Sequence, residues 1–167
     1  MENMEEKTIV LKRIDSIKLK LVTEDGEPTG EYLYIKVKDV DAPKRFQKMI
    51  DDLQKIWIEF RDKITIIEKQ QDNKVKGQIF SKNQMAKHDA LKEYINKKVE
   101  VYNEFLGENG VQKLLNGQEP TIDVFDWIDE EIIEKQIAPH IDLTFKSMTD
   151  KIREKYMFNA QKENVLE

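Results

Sequence analysis

The sequence of 167 residues has no cysteine, two histidines, four prolines and six glycines. The missing cysteine excludes disulfide frameworks, thiolate zinc sites and cysteine nucleophiles together, and it fits a reducing compartment. The histidines, His88 and His140, lie in no His-Glu-x-x-His or Glu-x-x-His pattern. Glycine-rich phosphate loops and the Gly-x-Ser-x-Gly elbow are missing too. No enzyme is expected, and no catalytic residue, cofactor or metal is assigned. Apolar runs never approach the ~18–20 residues of a membrane span. Early acids (Glu2, Glu5, Glu6) and the short run Thr8-Ile9-Val10-Leu11 do not suit a secretion signal. The expected location is the cytoplasm, with no membrane partner.

What is present is charge. Lys and Arg number 28 against 33 Asp and Glu, and the formal net charge is -5. Both signs mixed this densely read as the solvated surface of a helical protein. Basic runs are at most two residues long. A nucleic-acid partner, which needs a basic stripe, is therefore not expected.

The organised part opens with alternation. Ile17, Leu19 and Leu21 alternate with Lys18 and Lys20, and Leu33, Ile35 and Val37 alternate with Lys36 and Lys38. This is the period of half-buried strands, and the Gly- and Pro-bearing stretch 23–30 between them reads as the turn. That stretch lacks the further acids of a calcium loop. After Asp41-Ala42-Pro43, a helix start, Phe46, Ile50, Leu53, Trp57, Phe60, Ile64 and Ile67 recur at intervals of four and three. Such a stripe packs a helix along its length, either within a bundle or against a second chain as a coiled coil. The bulk of Trp57 and Phe60 favours the bundle. Residues 69–82 lose the period and form a connection. Ser81 then caps a second helix, whose expected stripe is Met85, His88, Leu91, Ile95, Val99, Tyr102 and Leu106, with His88 at its inner edge. Gly107 and Gly110 end it.

The segment from Gly117 onward holds twelve acids and six bases, more than the whole net negative charge. A helix is expected from Pro120-Thr121, broken or kinked at Pro139 and followed by a last one carrying Leu143, Phe145 or Met148, Ile152 and Tyr156. Asp126, Glu130 and Glu134 at i,i+4 read as a solvated acidic face. Phe125, Trp127 and Ile128 are nearly adjacent, so one helical face cannot bury all three. Tyr156, Met157 and Phe158 pose the same problem. Surplus apolar side chains of this kind mark a partner-binding surface; the competing explanation is that both groups close the core around Pro139. The expected class is mainly α with an N-terminal β-hairpin, a small helical bundle. Its parts are an extension (1–12), the hairpin (13–40), the bundle (41–158, one domain with the hairpin) and a frayed tail (159–167).

One stretch carries a resemblance: Tyr102-Asn103-Glu104-Phe105-Leu106-Gly107-Glu108-Asn109-Gly110-Val111-Gln112-Lys113-Leu114-Leu115-Asn116-Gly117. It resembles the signature of the small tail assembly chaperones of long-tailed, siphovirus-type phages and prophages of Gram-positive bacteria. In that family an aromatic-rich helix end runs into a glycine, a short apolar helix and a further glycine. Phe105, Leu106, Gly107, Glu108, Gly110, Leu114, Leu115 and Gly117 match the pattern; Asn109 stands where the family has a small residue or glycine. The specific part spans about 30 residues, Val99 to Ile128, and the order of elements elsewhere is similar. The resemblance implies a non-enzymatic chaperone that coats the tape-measure protein, and meets the tail-tube protein, during virion morphogenesis. It also implies a homo-oligomer. Many relatives exist in a longer, frameshifted form, but the sequence from Met148 on lacks the Lys-Lys or Phe-Phe pair that slippery codons encode, which argues against one here. The other reading is a homo-oligomeric structural or adaptor protein joined through the Phe46–Ile67 stripe.

Overall fold

The computed structural model describes residues 4–141. It is a mainly α fold that opens with a two-stranded antiparallel hairpin. Strand β1 (Ser16–Val22) pairs with β2 (Pro28–Lys36), setting Ile17 opposite Ile35 and Leu19 opposite Leu33. The turn closes by bonds between Thr23 and Gly26 and between Thr23 and Glu27, with Gly26 at φ 81. The second strand thus takes up three residues expected in the turn. Alternation turns Leu33, Ile35 and Val37 into the core and Lys18, Lys20 and Lys36 to solvent. Two strands are marginal alone; here their apolar face rests on helices.

Helix α1 (Ala42–Lys69) starts with a proline in its first turn, but Asp41 makes no side-chain cap. The work is done by Arg45, whose guanidinium grips both carboxylate oxygens of Asp39 at 2.6 and 2.7 Å and the Lys36 carbonyl at 2.8 Å. This ion pair holds the Asp39 carboxyl below its ordinary pKa. Helix α2 (Lys82–Leu106) begins with a full capping box between Ser81 and Gln84. The two helices lie antiparallel, as ion pairs along the seam show: Lys48 with Glu104, Lys97 with Glu59, Lys63 with Glu93, Lys87 with Glu68. Phe60 stacks on Tyr94 with centroids 4.6 Å apart, and Phe46 meets Phe105 edge-on at 5.7 Å.

The stripe on α1 thus serves the bundle. Phe46, Leu53, Phe60, Ile64 and Ile67 are half-buried along the pair, whereas Ile50 and Trp57 are exposed. The stripe expected on α2 is only half right. Tyr102 and Leu106 are buried and Leu91, Ile95 and Val99 half-buried, but Met85 and His88 are exposed. The reason is a second face about 120° round the helix, where Asn83, Ala90, Tyr94 and Phe105 are buried. Small Ala90 permits close approach, and its signal in a hydrophobicity pattern is weak. His88 lies on the same face as Leu106, five turns further on, but near the start of α2, away from the core cluster that covers Leu106.

After α2 come α3 (Gly110–Leu115), α4 (Val124–Trp127) and a ten-residue π-helix, Ile128–Ile137. The α4 start lies three residues beyond Thr121. The π winding follows from where the isoleucines fall. Ile128 and Ile137 are nine positions apart, about half a turn out of phase on an α-helix at ~100° per residue. On the wider i→i+5 winding of about 4.4 residues per turn they return to one side. Ile128, Ile133 and Ile137 are all buried there. Helix continues through Pro139 to residue 141 rather than breaking. A proline inside a helix loses one N–H bond and crowds the carbonyl four residues back; Pro139 directly follows the wide π winding, where Ala138 bonds the carbonyl five residues back, and its ring is exposed. The expected last helix and residues 159–167 lie outside the described residues.

Candidate partner surface

The motif that carries the family resemblance forms the corner where α2 turns into α3. Gly107 caps α2 at φ 101, ψ 174, a conformation open to glycine alone, and its N–H bonds to the Asn103 carbonyl. The Asn103 side chain then accepts from the Val111 N–H at 2.8 Å, clamping the two helices together. Phe105, Leu106, Val111 and Leu115 are buried under the hairpin, Leu114 is half-buried, and Glu108 is exposed. Gly117, at φ 80, leaves the short helix. Gly110 is fixed by space, since a Cβ there would lie 2.7 Å from the Leu106 Cβ. We expect Gly110→Ala to cost about 1–3 kcal/mol in urea unfolding, because neither backbone can give way without moving the corner. A loss within a few tenths of a kcal/mol would show that the corner has slack.

The surface expected from Phe125, Trp127 and Ile128 is corrected by burial. Phe125 and Ile128 are fully buried (0% exposed), and Trp127 is 42% exposed. Phe125 and Ile128 are i,i+3 neighbours on one side of the helix and Trp127 lies on the other, so the core takes two of the three and rejects only the indole. Tyr156, Met157 and Phe158 lie outside the described residues. Phe125 stacks on Tyr102 at 5.6 Å, and the Tyr102 hydroxyl donates to the Asp129 carboxylate. Lys98 Nζ sits 4.7 Å above the Phe125 ring. Burial pushes the Asp129 carboxyl up and the Lys98 ammonium down from their ordinary pKa values, and each partly offsets the other. Tyr94, Lys98 and Tyr102 recur at intervals of four, a visible signal that the search for apolar stripes passed over. Chemically this is a half-buried carboxylate tied to a tyrosine hydroxyl, with the Lys98 charge nearby, and it joins the π-helix to α2.

The exposed apolar surface lies elsewhere, on the helical pair. Past Trp57 and Tyr94, α1 and α2 run on together for three turns of α1, ~18 Å at 1.5 Å per residue, beyond the residues of the main core cluster. Trp57 (49% exposed), Ile58, Ile66 (59%) and Met85 stand on this arm, and Ile79 and Phe80 on the connection at its tip. An open groove between Ile66, Ile67, Ala86 and Ala90 runs along it, flanked by Lys63 and Glu93. The sequence reading credited the α1 stripe to packing and so missed what the far side leaves uncovered.

Among the described residues no group of three His, Asp or Glu is placed to hold a metal, and no helix is long and apolar enough to cross a membrane. The fold is thus that of a small mainly-α protein with a hairpin lid and a projecting two-helix arm. No protein-family model, curated protein or solved structure matches this chain.

Proposed function

We propose that this protein is a tail assembly chaperone that binds the tape-measure protein of a long-tailed phage, without catalysis. The single observation that carries the reading is the projecting arm, which holds Ile66 in solvent beside an open groove shared with Ile67, Ala86 and Ala90. A long amphipathic client can bury its own stripe against such side chains, the helix-in-groove mode of recognition. The motif from Phe105 to Gly117 supports the family, and its part in this chain is to hold the arm's base to the hairpin. Mixed charge along the arm keeps the uncovered surface soluble until the client arrives. The tail-tube protein is a second proposed partner, met as the client is handed over. The proposed setting is the host cytoplasm. The adaptor reading keeps only Ile50 and Trp57 of its stripe free, a narrower seam than an oligomer of that kind requires.

Co-expression with a long helical tape-measure protein tests the proposal. The wild-type chain should be captured with the client, and Ile66→Ser with Ala86→Asp should reduce capture at least tenfold with an unchanged far-UV spectrum. Capture unaffected by the double variant would move the contact off the arm. Absence of capture, together with a gene neighbourhood lacking tube and tape-measure genes, would defeat the function itself.

A further inference from the structure

We infer that two copies of this chain associate by exchanging the segment before β1, each laying residues 7–12 as a third strand along β1 of the other. The inference concerns self-association alone and does not depend on the client. Its first observation is an asymmetry between the two edges of the hairpin. The outer edge of β2 is occupied, because Arg45 takes the Lys36 carbonyl and Gly107 packs close to the Tyr34 carbonyl. The outer edge of β1 has no element beside it among the described residues. Asp15 accepts from Val37 N–H, so strict alternation turns the main-chain groups of Ser16, Lys18 and Lys20 outward. An open row of donors and acceptors is a template for strand addition.

The second observation is the segment itself. Ile9, Val10, Leu11 and Ile14 are 78–91% exposed and Met4 94%. These are β-branched or long apolar residues in extended chain, the composition that strands favour. Addition to its own β1 is blocked at the pivot: Arg13 lies over the Tyr34 ring at 4.0 Å, and the Asp15 carbonyl is held by both Val37 and Lys38.

Geometry then selects the occupant. If β1 is prolonged through the segment and two such strands run antiparallel about a two-fold axis at Ile14, Ile9 falls beside Leu19 and Leu11 beside Ile17 of the other copy. Leu19 is half-buried at the rim of the core, so the incoming Ile9 completes its cover. Charge agrees, since Glu5 and Glu6 arrive at the end of β1 that carries Lys20.

The test uses the full chain in sedimentation velocity over a concentration series. The wild type should be a dimer in the micromolar range. Ile9→Asp with Leu11→Asp should raise the dissociation constant at least a hundredfold with the far-UV spectrum retained. Because the chain has no cysteine, Ile14→Cys reports the axis directly: mild oxidation should give a covalent dimer much faster than Val40→Cys, a control of equal exposure. A wild type that stays monomeric at the highest concentration overturns the inference, as it would if the edge were covered from within one chain. So does a double variant with unchanged mass, or an Ile14→Cys chain that cross-links no faster than the control.

Discussion

Phe125→Ala should lower the free energy of unfolding by about 3–5 kcal/mol, while Trp127→Ala two residues away should change it by less than about 1 kcal/mol. Phe125 is fully enclosed and lies flat against Tyr102. Its removal loses the transfer energy of the ring and leaves a cavity, and it strips one wall from the site where Lys98 and Asp129 are held. The indole of Trp127 is 42% exposed, so truncation gives up far less. Urea melts of the two variants in parallel supply the measurement. Equal losses would mean that the π-helix rotates to bury Trp127, and the described core would be wrong.

The second large effect belongs to Asn83, a buried polar residue in the first turn of α2. Its Nδ2 donates to the carbonyls of Ile67 and Gln70, at 3.1 and 2.9 Å, and so caps the open end of α1 from the neighbouring helix. Its own N–H donates to the Asp72 carboxylate at 3.0 Å, and this bond holds the Asp72 carboxyl below its ordinary pKa. The side chain fastens both helix ends to their connection. Asn83→Ala leaves both carbonyls without that donor, and at about 1–1.5 kcal/mol for each bond the expected cost is about 2–3 kcal/mol. Hydrogen exchange should localise the loss, with protection falling at the end of α1 and the start of α2 and staying intact around Phe105. Uniform loss across the chain would show that the arm is not a separate cooperative unit.

The elements written by a single period were legible in advance. Alternation placed the hairpin, and the four-and-three spacing placed α1, because each uses one buried face. Ser81 and Gly107 marked their helix ends for reasons that act within a few residues. What stayed hidden required knowledge of a partner. Asn83 caps a carbonyl sixteen residues away, and no local pattern announces that bond. Helix α2 divides its apolar residues between α1 on one side and the hairpin on the other, and its first turns lie beyond the core cluster, so His88 is exposed on the very face that buries Leu106. Phe125, Trp127 and Ile128 were all expected on a partner surface, but the i,i+3 pair Phe125 and Ile128 shares one buried face, and only Trp127 is left outside it.

The wide winding of Ile128–Ile137 also bears on how this chain tolerates changes in length. An ordinary core helix is ruined by a one-residue deletion, which swings every later side chain about 100° away from its packing partners. Here the buried isoleucines are spaced five and then four. Deleting one residue among 129–132 would leave them four and four apart, which an α-helix stacks along one stripe. The segment thus reads as a helix carrying an insertion that the fold absorbed by widening instead of turning. Of the packed stretches in the described chain, this is the one where a lost residue restores a regular spacing.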